Sequence, residues 1–163
     1  MHIPPIVKMT TEAALRTFFS SSRFAVVGAS SDPQKYGNIV LAWYLRQSLP
    51  VTPINPTSKT IDVLGKPYNA VSSLSGLPAD EVADTSVSVI TRPGVTLEVL
   101  KEARKLGIPA VWLQPGSFDD EVIKYAREEG AFKAVLAGDG GRGSEGWCVL
   151  MDGKDGLKAA GKL

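Results

Sequence analysis

Histidine and cysteine are almost absent from this sequence of 163 residues, which contains one of each, His2 and Cys148. A single cysteine cannot form a disulfide within the chain, and we therefore expect a reducing compartment such as the cytosol. A single histidine provides no basis for a histidine-based triad, a phosphohistidine or a metal site of clustered ligands. We predict no catalytic residues and no metal ligands. A non-enzymatic role is favoured, although the sequence leaves that question open.

Neither charge nor hydrophobicity is concentrated in one part of the sequence. The 18 Lys and Arg residues are balanced by 17 Asp and Glu residues, which gives a formal net charge of +1. Nucleic-acid-binding domains usually carry a strongly basic patch, and no apolar run here approaches the roughly 18 residues that span a bilayer. The hydrophobic fraction of 44% is typical of a soluble globular domain. We predict a single domain over residues 1–163 that binds neither nucleic acid nor membranes.

The N-terminal residues allow two interpretations. Residues 1–23 contain basic and hydroxyl side chains but only one acid, Glu12, which is a composition similar to that of mitochondrial transit peptides. The alternative is a short structural helix within residues 1–22 that starts near Thr10 or Thr11 and has an apolar face. We favour the helix because the next strand begins immediately after it. The predicted location is cytoplasmic, with a mitochondrial location as the alternative.

Short apolar runs alternate with helical patterns from Phe24 onward. The runs predict five strands, at residues 24–27, 51–54, 87–90, 110–113 and 133–137. Repeated strand–helix units within one small domain imply parallel strands with helices on both faces of the sheet. We therefore predict an α/β fold, a Rossmann-like three-layer sandwich with a mainly parallel sheet of about five strands.

Two helices between these strands have predictable bounds, whereas two other segments have no clear pattern. One begins at Pro93, ends at Gly107, and is expected to bury Val95, Val99, Leu100 and Ala103. Another is expected to open with Ser117 as its N-cap and to run to about Glu129. Residues 57–84 are expected to be irregular, with at most one short strand or helix. The glycine-rich tail, residues 138–163, has no clear pattern and is left of uncertain structure.

The first strand ends in a loop of small residues that is a candidate phosphate site. In doubly wound sheets, ligands bind beyond the carboxyl ends of the strands, near the switch in strand order. Gly28, Ala29 and Ser30 let backbone amides approach a phosphate, and the helix after Gly37 contributes its positive N-terminal end. Only the first glycine of the G-x-G-x-x-G fingerprint is present, because Ser30 and Pro33 occupy the other two positions. An ordinary strand-to-helix turn therefore stays open as the alternative.

The second strand ends in residues that suit a phosphorylated ribose. NAD-binding domains usually place an acid here to hold the ribose hydroxyls, whereas this chain has Asn55 and Pro56, followed by Lys59. A neutral amide with a nearby lysine suits coenzyme A (CoA) or NADP, both of which carry a phosphate on that ribose. Lys35 in the first loop is placed to meet the same charge or the pyrophosphate. The alternative for each lysine is an exposed, solvated side chain.

The third and fourth strands each place a polar side chain and then a proline before the following segment. Thr91, Arg92 and Pro93 follow the third strand, and Gln114 follows the fourth. Because carboxyl ends of parallel strands meet at one edge of a sheet, these residues are placed to line a groove for a long, amide-bearing arm such as pantetheine. Ordinary turns explain them equally well.

Taken together, the motifs resemble the small CoA-binding domain family, which is similar to the N-terminal domain of the succinyl-CoA synthetase α-subunit. The matching segments, in the family's order and spacing, are residues 26–30, 53–56, 65–68 and 111–116. The likeness extends from about Arg23 to about Val135 and is specific as a set. It implies a Rossmann-like fold with CoA lying across the strand ends.

The resemblance also implies a role for each group of candidate residues. The residues placed at the phosphates are Gly28, Ala29, Ser30 and Lys35, with Gly37 at the start of the following helix. The residues placed near the adenosine are Asn55, Pro56 and Lys59. The pantetheine is bordered by Thr91, Arg92 and Pro93, and Gln114 lies towards the thiol. The equivalence of Cys148 to a cysteine motif in the family's tail is doubtful, because a glycine-rich insertion precedes it.

One literal match to the dinucleotide fingerprint is set aside. Residues 141–146 read G-x-G-x-x-G, but they lie 17 residues from the end of the sequence, with no room for a full βαβ unit. We interpret this segment as a surface loop. Cys148 beside Trp147 is interpreted as a packed small side chain rather than a nucleophile.

Three functions remain open. The leading hypothesis is a module that binds CoA or acyl-CoA without catalysis, as a carrier, a sensor or an accessory subunit, with a homodimer or an acyl-CoA enzyme as its expected partner. An NADP-dependent oxidoreductase would also explain why the residues at the end of the second strand suit a phosphorylated ribose. Against it, the chain lacks a substrate domain and an evident proton donor. The third is a CoA-binding subunit of an acyl-CoA ligase. The near absence of histidine argues against ligase chemistry in this chain, because such ligases transfer phosphate through a histidine.

Overall fold

A computed structural model describes residues 11–138 and 148–163. The strands in chain order are β1 (Arg23–Val27), β2 (Val51–Ile54), β3 (Thr60–Val63), β4 (Lys66–Asn69), β5 (Thr85–Val89), β6 (Ala110–Leu113) and β7 (Ala134–Leu136). The helices are α1 (Thr11–Phe19), α2 (Tyr36–Arg46), α3 (Pro93–Leu106), α4 (Asp120–Ala126) and α5 (Val149–Ala159). Within these described ranges, no helix combines the length and apolar character needed to cross a membrane.

The central sheet is parallel throughout and has the strand order β2-β1-β5-β6-β7. This confirms the predicted Rossmann-like α/β fold. Because the chain passes from β1 to one neighbour, β2, and later to the other, β5, the order reverses at β1. The loops after β1 and β5 therefore leave the sheet side by side at its carboxyl edge, which is where ligands of such sheets bind.

Alternate residues of the strands face opposite helical layers. On β1, Phe24 and Val26 pack into a core with α1, α2 and α5, whereas Ala25 and Val27 pack into a second core with α3 and α4. The period of two along a strand causes this division. Both faces are buried, which explains why the strands read as short, continuous apolar runs.

Helices α3 and α4 differ in detail from the sequence prediction. Pro93 is the first residue of α3 and Gly107, at φ 84°, ends it, as expected. Val95 is 44% exposed, so the expectation that it is buried is wrong; Thr96 lies on the inner face instead. The N-cap of α4 is Asp119, which accepts a hydrogen bond from the Val122 N–H, and the helix ends at Ala126 rather than near residue 129.

Residues 57–84 are more regular than predicted. Strands β3 and β4 form an antiparallel hairpin, and two short 3₁₀ helices follow, Leu74–Gly76 and Val82–Asp84. The hairpin turn is Leu64-Gly65, and both residues have positive φ, 53° and 77°, as a two-residue type I′ turn requires. The prediction of at most one short element here is therefore wrong.

Part of the glycine-rich tail forms helix α5, which packs against α1 and α2. The close contact of α5 with its neighbours depends on two glycine residues, which have no side chain. A Cβ on Gly153 would lie 2.2 Å from the Trp43 ring, and one on Gly156 would lie 2.4 Å from the Phe19 ring. Residues 141–146, interpreted above as a surface loop, lie outside the described residues.

Candidate functional site

A groove of about 510 Å³ lies at the carboxyl edge of the sheet, between the loops that follow β1 and β5. It therefore occupies the point where the strand order reverses. Its lining residues are Gly28, Ser30, Lys35, Tyr36, Gly37, Ile90, Thr91, Arg92 and Val95. Six of the residues predicted from the sequence are thus brought together here: Gly28, Ser30, Lys35, Gly37, Thr91 and Arg92.

The loop after β1 is held in shape by its own hydrogen bonds. Gly28 has φ 96°, a conformation that favours glycine, and its N–H donates to Ile54 O. Further along, Ser30 Oγ accepts from Asp32 N, and Asp32 Oδ1 accepts from Gln34 N. Such local side-chain-to-backbone bonds preorganise a turn. The loop can therefore present its backbone to a ligand without a large ordering cost.

Gly37 allows helix α2 to approach this loop closely. A Cβ at Gly37 would lie 2.0 Å from Gly28 O and 3.0 Å from Gly28 C, so no larger residue fits without moving backbone. Close helix–strand packing is the role of the third glycine in the G-x-G-x-x-G fingerprint. The site therefore has the first and third glycine functions, at positions 28 and 37, although the spacing of the fingerprint is absent.

The groove is electropositive. Helices α2 and α3 both begin at it, neither has a side-chain cap or an acid in its first turn, and their N-cap residues are Lys35 and Arg92. Both of these side chains are exposed, and neither forms an ion pair with any described carboxylate. Positive helix ends and unpaired cations around one groove suit a phosphate or diphosphate group.

An apolar cavity of about 180 Å³ adjoins the groove on the α3 side of the sheet. Its lining residues are Val27, Gly28, Ile54, Pro56, Ser72, Ser73, Leu74, Thr91, Val95, Val99 and Glu102. Gly28, Thr91 and Val95 belong to both groups of lining residues, so the cavity and the groove lie directly beside each other. The combined site offers a cationic part for phosphates and an apolar part for a ring or a chain.

Glu102 is the one charged residue among those that line the cavity. Its Oε1 accepts a hydrogen bond of 3.3 Å from Leu74 N. Its Oε2 accepts from Ser75 N at 3.3 Å and from Ser75 Oγ at 2.6 Å. These donors fix the carboxylate between α3 and the first 3₁₀ helix.

Asn55 connects the loops after β1 and β2. Its Nδ2 donates to Ala29 O at 3.0 Å, and its Oδ1 accepts from the N–H groups of Thr57 and Ser58. A carboxylate has no N–H to give to Ala29 O, which explains why an amide rather than an acid stands at the end of β2. Ala29 is itself buried, and neither residue lines the groove. Their contact with a ligand stays a prediction.

The remaining predicted residues lie in different places. Pro56 lines the apolar cavity, and Pro93 is the half-buried first residue of α3. Lys59 is exposed and lines neither the cavity nor the groove. Whether it meets a bound phosphate stays a prediction.

Gln114 is fully buried and connects the sheet to α5. Its Nε2 donates to Ser88 Oγ at 3.3 Å, and its Oε1 accepts from Val149 N at 3.0 Å. Ser88 Oγ also bonds to the Tyr44 hydroxyl, whose pKa is raised by burial. Gln114 lines neither the groove nor the cavity. Its predicted position towards the thiol end of a ligand stays a prediction.

Cys148 lies at the N-terminus of α5 and is buried, with its thiol against the Tyr36 hydroxyl. This agrees with its interpretation as a packed small side chain. No group of three His, Cys, Asp or Glu side chains that could hold a metal ion occurs among residues 11–138 and 148–163.

Several lining residues were missed in the sequence. Tyr36 and Ile90 directly adjoin predicted positions, so a wider window around each strand end would have included them. Val95, Val99 and Glu102 recur at helical spacing on one face of α3. The opposite wall, residues 72–74, comes from a segment with no sequence signal for a site.

The fold and the site define a Rossmann-like domain with an anion-binding switch-point groove beside an apolar cavity. Comparison with known protein families matches residues 22–136 to the CoA binding domain family, and the chain belongs to that family. Membership supports CoA binding as the general function. No curated protein matches the chain significantly.

Several solved structures are similar to this chain. A conserved hypothetical protein from Pyrococcus furiosus is 32% identical, with a TM-score of 0.59 over 69% of this chain and 90% of that one. A hypothetical protein from Pyrococcus horikoshii is 25% identical, with a TM-score of 0.71 over 96% of this chain and 99% of that one. A Thermus thermophilus protein is 30% identical, with a TM-score of 0.62 over 76% of this chain and 88% of that one.

Proposed function

We propose that this chain binds CoA or acyl-CoA at the switch-point groove and acts as a non-catalytic carrier, sensor or accessory module. The observation that carries the proposal is that the apolar cavity directly adjoins the cationic groove. CoA needs both parts, because a diphosphate joins its adenosine to its pantetheine arm. The family to which the chain belongs supports the same ligand.

The diphosphate belongs in the groove. Gly28 and Ser30 supply a close backbone approach there, and Lys35 and Arg92 supply unpaired positive charge. Two helix N-termini point to the same place. Charge-assisted hydrogen bonds from these groups to phosphate oxygens are each stronger than neutral ones.

The adenine ring belongs in the apolar cavity, with Pro56 on its border. A cavity of about 150 Å³ accommodates benzene, so the 180 Å³ here, beside the groove, is of the right order for a bicyclic base that remains partly exposed. The pantetheine arm then leaves past Thr91, Arg92 and Pro93. Ala29 and Asn55 line neither the groove nor the cavity, and their contact with CoA stays a prediction.

The charges around the site favour binding over catalysis. The charged residues that line the groove are cations, and Glu102, which lines the cavity, already accepts three hydrogen bonds from the protein. A general base needs a carboxylate that is free to take a proton from the substrate. A CoA-binding subunit of a ligase would use the same groove, and its chemistry would come from its partner.

Calorimetric titration with CoA, dephospho-CoA, NADP and NAD tests the ligand. We expect CoA to bind more tightly than dephospho-CoA by about 1.5–3 kcal/mol, the contribution of a hydrogen bond to a charged group. Binding of NADP alone would replace the proposal with redox chemistry on the same fold. Absence of binding by all four ligands would refute it.

Replacement of both groove cations tests the site. The double variant Lys35→Ala/Arg92→Ala should lose CoA affinity on the order of tenfold or more. Lys101→Ala/Lys105→Ala is the matched control, because it removes the same charge from exposed positions of α3 that line neither the groove nor the cavity. Equal affinities for the two double variants would show that phosphates bind elsewhere.

We also propose that residues 1–163 act as one cytosolic domain, with a second copy or an acyl-CoA enzyme as partner. The support is that α1 and α5, outside the matched residues 22–136, share one core with β1 and α2. Light scattering after size exclusion, with and without CoA, distinguishes a monomer from a homodimer. Copurification of a CoA-dependent enzyme would identify the other kind of partner.

A further inference from the structure

Glu102 lies at one end of the apolar cavity, away from the phosphate groove. Val95, Val99 and Glu102 form one stripe of α3, and only Val95 also lines the groove. With a rise of 1.5 Å per residue, the separation of seven positions between Val95 and Glu102 places the Glu102 backbone about 10 Å further along the helix. This is comparable to the length of a nucleoside from its phosphate-bearing carbon to the far edge of its base.

The carboxylate has capacity for one more donor. A carboxylate offers about four lone-pair positions, and three are used by Leu74 N, Ser75 N and Ser75 Oγ. These three donors come from the loop wall and fix the orientation of Glu102. The Glu102 carboxylate can only accept hydrogen bonds, and it lines a largely apolar cavity. A ligand that buries it there without offering a donor loses binding free energy.

We propose that Glu102 recognises adenine by accepting a hydrogen bond from the exocyclic amino group of the ring, and so discriminates against bases with no donor at that position. The inference rests on the proposed function, since it requires the nucleoside of CoA to lie in the cavity. Among the cavity-lining residues, Glu102 supplies the charged acceptor, and the amino group is the one strong donor on the adenine edge. Glu102 thereby adds a charged specificity determinant to a cavity whose polar lining residues are otherwise neutral: Ser72, Ser73 and Thr91.

The test compares CoA with its purine analogue, in which a hydrogen replaces the amino group of the base. This change removes the donor without adding an acceptor or bulk. We expect the wild-type protein to bind the analogue on the order of tenfold more weakly than CoA, as loss of a charge-assisted hydrogen bond predicts. Affinities within about twofold of each other would overturn the proposal. This comparison needs no variant, so it remains decisive if a substitution at Glu102 impairs folding.

Glu102→Gln links the preference to this side chain. Because a neutral amide accepts a weaker hydrogen bond, the preference for CoA over the analogue should fall to roughly threefold. Glu98→Gln is the matched control: it makes the same change on the same helix at an exposed position outside the cavity, and it should keep the full preference. An undiminished preference in Glu102→Gln would assign base recognition to another residue. Failure of the wild-type protein to bind either ligand would instead refute the proposed function.

Discussion

Replacement of Gly37 by alanine tests the contact on which the shape of the groove depends. A Cβ at this position would lie 2.0 Å from Gly28 O, 3.0 Å from Gly28 C and 3.3 Å from Ala29 Cα. All three neighbours are backbone atoms, so no rotamer change relieves the overlap. Either α2 or the loop after β1 must move by about an ångström, and overpacking of this kind costs about 1–3 kcal/mol.

The helix propensity of alanine opposes this loss. Alanine is favoured over glycine in a helix interior by about 1 kcal/mol, and less near an N-terminus. We therefore expect Gly37→Ala to destabilise the protein by about 1–2 kcal/mol, and by more if the loop cannot shift. For a chain of this length the melting temperature should fall by roughly 2–8 °C. CoA affinity should also fall, because Gly28 and the residues after it would be displaced.

Gly94→Ala is a closely matched control. Gly94 is the second residue of α3, as Gly37 is of α2, and a Cβ there would meet no atom within 4 Å. It should leave stability unchanged or raise it by up to about 1 kcal/mol. Urea denaturation of both variants gives the comparison. Equal stabilities for the two variants would refute the close-approach argument and leave Gly37 without a structural reason.

Two further predictions concern residues that line neither the groove nor the cavity. Gln114→Leu removes the acceptor for Val149 N–H and a donor to Ser88, so urea denaturation should show a loss of about 1–3 kcal/mol in the free energy of unfolding. Unchanged stability would contradict this structural role, and CoA affinity measured in parallel tests the predicted position of Gln114 beside the ligand. The pKa of Asp84 is lowered by hydrogen bonds from the Ser22 side chain and its backbone N–H. Its stabilising effect is therefore present above the unfolded-state pKa and lost as the pH falls through the folded-state value. The stability of Asp84→Asn should depend less on pH in acid than that of the wild type, and parallel urea midpoints across this range would contradict the assignment.

The sheet could be predicted from the sequence because each strand is marked by a short apolar run of neighbouring residues. The runs at residues 51–54 and 110–113 match β2 and β6 residue for residue. A buried parallel strand is apolar on both faces, so a short window suffices to identify it. The first and third strands were also found, with shifts of one or two residues at their ends.

The elements that were missed depend on contacts distant in sequence. Gly153 and Gly156 lower the helix propensity of α5, yet Trp43 and Phe19 occupy the space that larger side chains would need. Packing therefore outweighs propensity there. The β3–β4 hairpin carries a local signal, the buried alternation of Ile61 and Val63, but Pro67 argues against a strand and obscured it.

The candidate site shows the same division. Gly28, Lys35 and Arg92 follow directly from their positions at strand ends and helix starts, and the groove contains all three. Glu102 lines the cavity because α3 packs beside residues 72–74, an arrangement that only the folded chain reveals. The sequence also suggested Asn55 as a ligand contact, which stays a prediction. The folded chain adds that its amide bonds to Ala29 O and to the N–H groups of Thr57 and Ser58.

These differences separate the residues of the site into two groups that experiments can distinguish. Gly37 has no room for a side chain, and the amides of Asn55 and Gln114 form hydrogen bonds within the protein. Replacement of these three residues should therefore lower stability first. Lys35 and Arg92 are exposed and form no ion pair with a described carboxylate, so their replacement should lower affinity and leave stability within about 0.5 kcal/mol. A preorganised loop requires this separation, because its shape is maintained before the ligand arrives. If replacement of the two cations also unfolded the protein, the loop would instead be shaped by its charges, and the ligand would have to order it on binding.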